Sequence, residues 1–294
     1  MKVIEPTTIT PDLLVSSSVP EDDAQAWNAG TSYSIGEEVM DDHAVFEALQ
    51  NNVGKPPRSN PDVWLPLGAV NRWKMFDGKV GVGTTADDAV SIVARPGLIT
   101  GIALIGVVAD SVTVSMTDAT EGVVFEEVIQ LQDTKVVHDW TTYFFEPIRR
   151  RNHVVVTGLP MYRNAEVAVT VSAPGERVTI GELVLGRLHV FAKSFRYGAS
   201  FGIRDFSKKT RDDWGNWFVR EGAYSRRGRW PVLVDNNMID SMAATLDRLR
   251  FKAAVYVGSP RWDAAVIYGF YIDYDIVIPY PTYSELAIEI EGLT

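Results

Sequence analysis

The sequence predicts an all-β protein: a small three-stranded module is followed by two β-sandwich-type domains, with one short helix in the last. Short runs rich in valine, isoleucine and aromatic residues recur along the chain, and several alternate between apolar and polar positions, with turn residues between them. Alternating strand–helix units, which build the parallel sheets of many enzymes, are absent. At 294 residues the chain is also longer than one typical domain.

Composition separates the first two segments. Residues 1–21 contain three prolines and a run of three serines, which predicts an extended N-terminal arm. Residues 22–69 are punctuated by aromatic residues and contain a proline-rich turn at 55–61, which predicts a separate module. A sheet of this size has too little apolar material for an ordinary core, so stacked aromatic side chains are expected to stabilise it.

The later segments are predicted from strand periodicity. Residues 70–190 are expected to form a sandwich of two antiparallel sheets, since 112–116 and 167–172 alternate with period two. Residues 191–294 remain β-rich, with one helical interruption within 236–250. There Asn236 or Asn237 is expected to cap a helix. The apolar residues of that helix fall on one face: Ile239, Met242, Leu246 and Leu249.

Composition also excludes several functional classes. A net charge of −10 and a pI near 4.9 argue against general binding of nucleic acid or anionic membranes, because both require a cationic surface. The absence of cysteine excludes disulfides, thiolate catalysis and cysteine-ligated zinc. The longest apolar stretch, around 98–109, is broken by two glycines and is too short to span a bilayer. A soluble protein without a secretory signal is expected.

No catalytic constellation is visible. The four histidines stand in unrelated contexts, and the paired acids, such as Asp87 and Asp88, are sequence neighbours that would point to opposite faces of a strand. The glycine-rich stretch 78–85 differs from a phosphate loop because Lys79 precedes the glycines instead of following them. We therefore expect no enzyme activity, no cofactor and no metal site.

Residues 22–69 carry the most specific pattern. It runs from Ala26-Trp27 through Tyr33, Gly36 and Val39 to Phe46 and Ala48, and it closes at Trp64. This order and spacing resemble the small chitin-binding modules of bacterial chitinases (carbohydrate-binding module family 5/12). Two positions depart from the family pattern: Glu37 replaces the usual aspartate, and Phe46 stands where tyrosine is common.

The resemblance implies a sugar-binding role for three aromatic residues. In the family, rings at such positions lie against the apolar face of a sugar, so Trp27, Tyr33 and Trp64 are the candidate carbohydrate-binding residues. The other interpretation is that these rings form the core of the module, together with Phe46. Both interpretations stay open at this point, and an alanine substitution separates them, because only a core ring leaves a cavity.

Two looser resemblances extend the comparison. Residues 72–78 with 102–107 and 111–114 are similar to the galactose-binding-like β-sandwich of phage tail proteins. Residues 201–209 with 213–216, and again 268–275, are similar to tail-tip proteins that have a β-rich domain. Carbohydrate-binding-like modules without a catalytic partner also recur in phage tail and baseplate proteins. On these resemblances, residues 191–294 are expected to be a C-terminal assembly domain.

Charge is distributed unevenly along the chain. Residues 193–229 hold ten basic and four acidic side chains, a net charge of +6, which leaves −16 for the remainder. Such asymmetry suits a protein that packs against acidic copies of itself or against neighbours, where complementary patches set the register. A rival interpretation is a nucleic-acid platform in which Trp214, Trp217 and Trp230 are interleaved with arginines. A solvated β face would have the same composition.

These observations favour a structural virion protein of a phage tail, tail tip or baseplate, made in the host cytoplasm. The expected partners are other phage tail proteins and further copies of the chain as a homo-oligomer, with a host cell-surface glycan as a further partner. Neither nucleic-acid binding nor membrane insertion is expected. The alternative is a dedicated receptor- or polysaccharide-binding protein for host attachment, acting through the aromatic face of the N-terminal module.

Overall fold

The computed structural model describes residues 1–132, 140, 150–192, 195–259 and 262–293. Strands account for 54% of the described residues and helices for 10%, and the large sheets are antiparallel, which confirms the all-β prediction.

Strands in the first 190 residues are short in the module and longer beyond it. They are β1 (Lys2–Pro6), β2 (Leu14–Ser17), β3 (Gln25–Ala26), β4 (Ser32–Tyr33), β5 (Glu38–Asp41), β6 (Ala44–Ala48), β7 (Asn52–Val53), β8 (Trp64–Ala69), β9 (Thr84–Ala94), β10 (Gly101–Ile105), β11 (Ser111–Asp118), β12 (Gly122–Gln130), β13 (His153–Thr157), β14 (Glu166–Ile180) and β15 (Glu182–Val190). Two 3-10 helices, Pro57–Ser59 and Asn71–Phe76, flank β8.

The remaining residues add seven strands and the α-helix α1 (Ile239–Leu249) to the described part of the chain. The strands are β16 (Ser200–Asp205), β17 (Lys208–Arg211), β18 (Trp217–Arg220), β19 (Tyr224–Asp235), β20 (Ala254–Val257), β21 (Val266–Val277) and β22 (Tyr283–Gly292). The 3-10 helices Asn236–Met238 and Asp263–Ala265 precede α1 and β21 respectively.

One nine-stranded sheet runs through the molecule in the order β13-β10-β15-β1-β20-β21-β22-β19-β16. The fourth position is occupied by β1, which pairs antiparallel with β15 on one side and with β20 on the other. Val3 and Ile4 are fully buried there. The structure thus differs from the extended arm expected for residues 1–21. The apolar residues Val3 and Ile4 become buried because β1 pairs with β15 and β20, which lie far away in the sequence.

The close approach of β1 to β15 depends on Gly186. A β-carbon at this position would overlap the backbone carbonyl of Glu5 on β1, so a larger residue would push the two strands apart. Pro6 ends β1 opposite the same glycine.

A five-stranded sheet in the order β12-β11-β14-β9-β2 packs against one end of the large sheet. Its inward residues, including Ile92, Val112 and Val114, share a core with Ile102 and Val154 of the large sheet. This face-to-face packing gives residues 70–190 the sandwich-like arrangement that their alternation predicts.

The predicted helix is also present. Helix α1 lies within the predicted range 236–250 and packs Met242, Leu246 and Leu249 in a core with Trp230 and Ile288. The expected capping residue was wrong: Asp235 accepts a hydrogen bond from the backbone amide of Asn237 and so begins the preceding 3-10 turn, whereas α1 itself has no side-chain cap.

The module contains the three expected longer strands, β5, β6 and β8, with the two-residue β3 added in parallel at one edge. Val45 and Met40 of this sheet pack on the sandwich core. The carboxylate of Glu21 accepts a hydrogen bond from Trp73 Nε1 at 2.7 Å and lies 3.0 Å from His43 Nδ1, so it links the module to the sandwich. The division of the chain at residues 69 and 191 into independently folding domains stays a prediction.

A carboxyl group is buried where the large sheet meets the loop before β9. Glu182 is 5% exposed, and it accepts hydrogen bonds from the Tyr268 hydroxyl at 3.1 Å and from the Gly78 amide at 3.0 Å. Burial, helped by the nearby carboxylate of Asp77, raises the pKa of Glu182 to about 8 despite the two hydrogen bonds, which lower it. The carboxyl group is therefore largely protonated at neutral pH.

Replacing Glu182 by glutamine is expected to flatten the dependence of the unfolding free energy on pH. The native state keeps this proton while the unfolded state releases it at its ordinary pKa of 4.5, so wild-type stability falls as the pH rises from 4.5 to about 8. The shift corresponds to at most about 5 kcal/mol. Urea unfolding from about pH 5 to about pH 9 measures both slopes. The exposed Glu126→Gln is the control, and equal slopes in wild type and Glu182→Gln would contradict the prediction.

Candidate interaction surface

The structure places two of the three candidate sugar-binding residues in the core of the module. Trp64 is 0% exposed, and its Nε1 donates a hydrogen bond to the Lys55 carbonyl oxygen at 2.9 Å. Tyr33 is 7% exposed and meets Trp64 edge to face, with 5.4 Å between ring centroids and an interplanar angle of 70°. Neither ring offers a free face on which a sugar can stack.

Trp27 is half-buried against the same cluster, which also includes Val39 and Phe46. Its buried Nε1 has no hydrogen-bond partner among the residues that the structure describes. The burial of these rings favours the interpretation that they form the core of the module. Sugar binding by Trp27, Tyr33 and Trp64 stays a prediction.

Substituting Trp64 by alanine is expected to lower the unfolding free energy by roughly 3–5 kcal/mol, since it leaves a large cavity in a small core. Thermal unfolding followed by circular dichroism measures this loss. Trp214→Ala, which removes a highly exposed indole, is the matched control and is expected to change stability by less than about 0.5 kcal/mol. Equal stability of the Trp64→Ala variant and wild type would show that the ring is not a core residue.

The histidines lie apart from one another in separate polar contacts. His43 lies beside Glu21, His189 Nε2 is 2.9 Å from Glu5, and His153 Nε2 is 3.8 Å from Asp263. His138 falls outside the described residues. Across the described ranges, no cluster of three or more histidine or acidic side chains is arranged to hold a metal ion. None of the helices in these ranges is long and apolar enough to cross a membrane.

A two-stranded β-ribbon projects from the edge of the nine-stranded sheet, and we define it as residues 200–226. β16 pairs with the first part of β19, and β17 pairs with β18 further out. β19 joins β22 of the sheet only from Arg227 onwards. Nearly every ribbon residue is exposed. The ribbon is therefore a continuation of two sheet strands beyond the body of the protein.

Local contacts hold the two parts of the ribbon in line. The Phe206 amide donates a hydrogen bond to the Ala223 carbonyl at 3.0 Å, and the Gly222 amide donates to Ser207 Oγ at 3.1 Å. A β-carbon on Gly222 would lie 2.6 Å from the Phe206 carbonyl oxygen, so the strands can approach this closely only with glycine there.

The tip of the ribbon is built around Asp212. Its Oδ1 accepts hydrogen bonds from the amides of Trp214 at 3.0 Å and Asn216 at 2.7 Å, and Gly215 takes a positive φ of 92°. Hydrogen bonds from Asn216 lower the pKa of Asp212, so the carboxylate stays charged and keeps the turn closed. The ordered turn holds the indole of Trp214, which is 81% exposed, at the tip.

The ribbon exposes many large apolar side chains to solvent. Those exposed by more than a third are Phe201, Ile203, Phe206, Trp214, Trp217, Phe218, Val219 and Tyr224. Soluble monomers rarely display an apolar surface of this extent, and such a surface commonly marks contact with another molecule. Tryptophan and arginine, both present in the ribbon, are also among the residues that contribute most binding energy at protein interfaces.

The two faces of the outer ribbon differ in their electrostatics. On one face the Arg211 guanidinium lies 5.6 Å from the ring centroid of Trp217, and Lys209 forms an ion pair with Asp205 at 2.8 Å. The hydrogen bond from Lys209 holds the pKa of Asp205 well below its usual range. We call this face, which also carries Val219, the neutralised face.

The opposite face is the cationic face, formed by Lys208, Thr210, Phe218 and Arg220. Register pairs Lys208 with Arg220 and Thr210 with Phe218. Neither Lys208 nor Arg220 forms an ion pair with any residue of the described ranges. The cationic face therefore presents two uncompensated positive charges beside an exposed phenylalanine.

The sequence indicated this region only through its charge and its aromatic content. Trp214 and Trp217 are exposed as a binding platform requires, but Trp230 is fully buried against Phe195 and helix α1. The three-tryptophan nucleic-acid platform of the rival interpretation is therefore not formed. The sequence does not show that Lys208, Phe218 and Arg220 share a face, because this depends on the register of β17 on β18. The signal that the sequence does contain is the strand periodicity of 217–220, since alternate residues of a strand point to the same face and this places Phe218 with Arg220.

Comparison of the sequence with models of known protein families finds no match, and comparison with curated proteins finds none either. The family resemblances described above therefore rest on the quoted residues alone.

Proposed function

We propose that the protein is a non-enzymatic structural component of a multi-subunit assembly, joined to its neighbours through the ribbon. The observation that carries this proposal is the row of exposed aromatic and aliphatic side chains on residues 200–226. Covering this apolar area with another protein surface removes it from water and so lowers the free energy.

The form of the ribbon also supports an assembly role. Its backbone is paired along most of its length and its tip is closed by Asp212, so little conformational entropy is lost when it docks. A mobile loop with the same side chains would bind more weakly.

Within this proposal, the assembly is a phage tail, tail tip or baseplate, and the protein is part of the virion. The sequence resemblances of residues 22–69, of 70–190 and of the C-terminal segment to modules of such proteins support this choice. The genes that flank the coding gene test it, because tail genes cluster. Flanking genes without any tail or capsid components would argue against it.

The alternative is a polysaccharide-binding protein that acts through the module. Burial of Tyr33 and Trp64 weighs against this alternative, since a stacking platform needs an open ring face. Adsorption of the wild type to chitin beads, compared with that of Trp27→Ala, tests it directly. Specific adsorption that depends on Trp27 would favour the alternative function.

Replacing Trp214, Trp217 and Phe218 together by serine is expected to weaken self-association by at least about a hundredfold, because rings of this kind contribute on the order of 2 kcal/mol or more each in a buried interface. Size-exclusion chromatography with light scattering across a concentration series measures the change. Tyr197→Ser removes a fully exposed ring outside the ribbon and is the control. A wild-type chain that stays monomeric throughout the series would overturn self-assembly through the ribbon.

A further inference from the structure

The cationic face of the ribbon contains an unfavourable pair. Lys208 and Arg220 are directly opposite on neighbouring strands, and like charges in this position destabilise a sheet. Phe218, on the same face, is 62% exposed. On the neutralised face Lys209 is ion-paired with Asp205 and the Arg211 guanidinium lies over the Trp217 ring. The cationic face instead holds two adjacent positive charges without an acidic partner in the described ranges, so an anionic surface outside the ribbon would stabilise it.

The module carries the opposite arrangement. Glu38 on β5 lies directly opposite Glu47 on β6, and Glu47 lies opposite Leu65 on β8, so these three side chains form one row across the sheet. Glu38 and Leu65 are exposed and Glu47 is half-exposed. Neither glutamate is joined to a cation in the part of the chain that the structure describes. We call this row the acidic row.

The two surfaces match in charge and in composition. Each has a cross-strand pair of like charges next to one exposed apolar side chain, cationic in the ribbon and anionic in the module. The wider surroundings match too, since residues 22–69 contain two basic and eight acidic side chains, a net charge of −6, against +6 for residues 193–229.

We infer that the cationic face of the ribbon in one copy docks on the acidic row of the module in a second copy. Lys208 and Arg220 then face Glu38 and Glu47, and Phe218 covers Leu65. Both repulsive pairs are relieved by the same contact, and apolar area is removed from water at its centre. The inference rests on the proposed assembly function and names the surface that receives the ribbon.

The geometry of such a contact is head to tail, because the two surfaces differ and lie on different parts of the chain. Contacts of this heterologous kind close into a ring when the rotation between copies permits and otherwise continue as a filament. Each copy would use its ribbon towards one neighbour and its module towards the other. The contact is also expected to weaken with added salt, because its charges are exposed before docking.

Two charge-reversed chains test the pairing by complementation. The first, Lys208→Glu with Arg220→Glu, has an acidic ribbon and an acidic module; the second, Glu38→Lys with Glu47→Lys, has a basic ribbon and a basic module. Each alone is expected to associate at least about tenfold more weakly than wild type, as like charges then meet across the contact. An equimolar mixture is expected to recover association, because each reversed surface again finds its opposite. Light scattering measures all three samples.

Adjacent lysines provide the matched control for the face. Lys208→Glu and Lys209→Glu make the same charge change one residue apart on opposite faces of β17. Lys208→Glu is expected to weaken association by several-fold or more. Lys209→Glu, which breaks only an exposed ion pair, is expected to leave it nearly unchanged.

The outcomes separate the inference from the function on which it rests. Recovery in the mixture supports the docking and also shows that both variants fold. Loss of association in the ribbon variant without recovery in the mixture, or unchanged association in the module variant, overturns the docking but leaves assembly through the ribbon standing. A wild-type chain that is monomeric at every concentration overturns both the docking and self-assembly through the ribbon.

Discussion

The pairing of β1 with β15 on one side and with β20 on the other is the interaction on which the rest of the architecture depends. β15 belongs to the strands that pack in the sandwich, and β20 begins the strands that pack around α1. Without β1 each of them would present an open edge with unpaired backbone groups, which is a site for aggregation. By pairing on both sides, this five-residue strand joins the two halves into one continuous sheet. Val3 and Ile4 of the strand are completely buried.

The ribbon depends on the same sheet for its direction. β19 pairs with β22 within the sheet and with β16 along the ribbon, so one strand passes from the body into the projection without interruption. Arg204 on β16 forms an ion pair with Glu291 on β22 at 3.1 Å, across the base of the ribbon. A projection fixed in this way holds its exposed rings at a set distance from the body, which suits contact with a neighbouring subunit better than capture of a small ligand.

The distribution of charge indicates that stability and specificity conflict in this chain. A hydrophobic or oppositely charged residue in place of Arg220 or Glu47 would make either hairpin more stable by a few tenths of a kcal/mol to about 1 kcal/mol. Like charges at both positions instead disfavour unwanted pairing of the free β edges and leave an electrostatic preference for a partner of opposite sign. The small module offsets this repulsion with its buried apolar core, in which Trp64 and Tyr33 pack together with Phe46.

Local sequence determined the β character and the range of helix α1, because each follows from periodicity or composition within one short segment. The apolar positions Met242, Leu246 and Leu249, for example, specify a helix face without reference to any other element. Local sequence left the role of the module's rings open, and the burial of Tyr33 and Trp64 came from the tertiary structure. Only the tertiary structure decided the place of β1, the burial of Trp230 and the charges that share a face of the ribbon. β1 pairs with residues 180 or more positions away, and the cationic face follows from the register of β17 on β18. Local composition predicts neither distant pairing nor register, since both arise from the packing of whole strands.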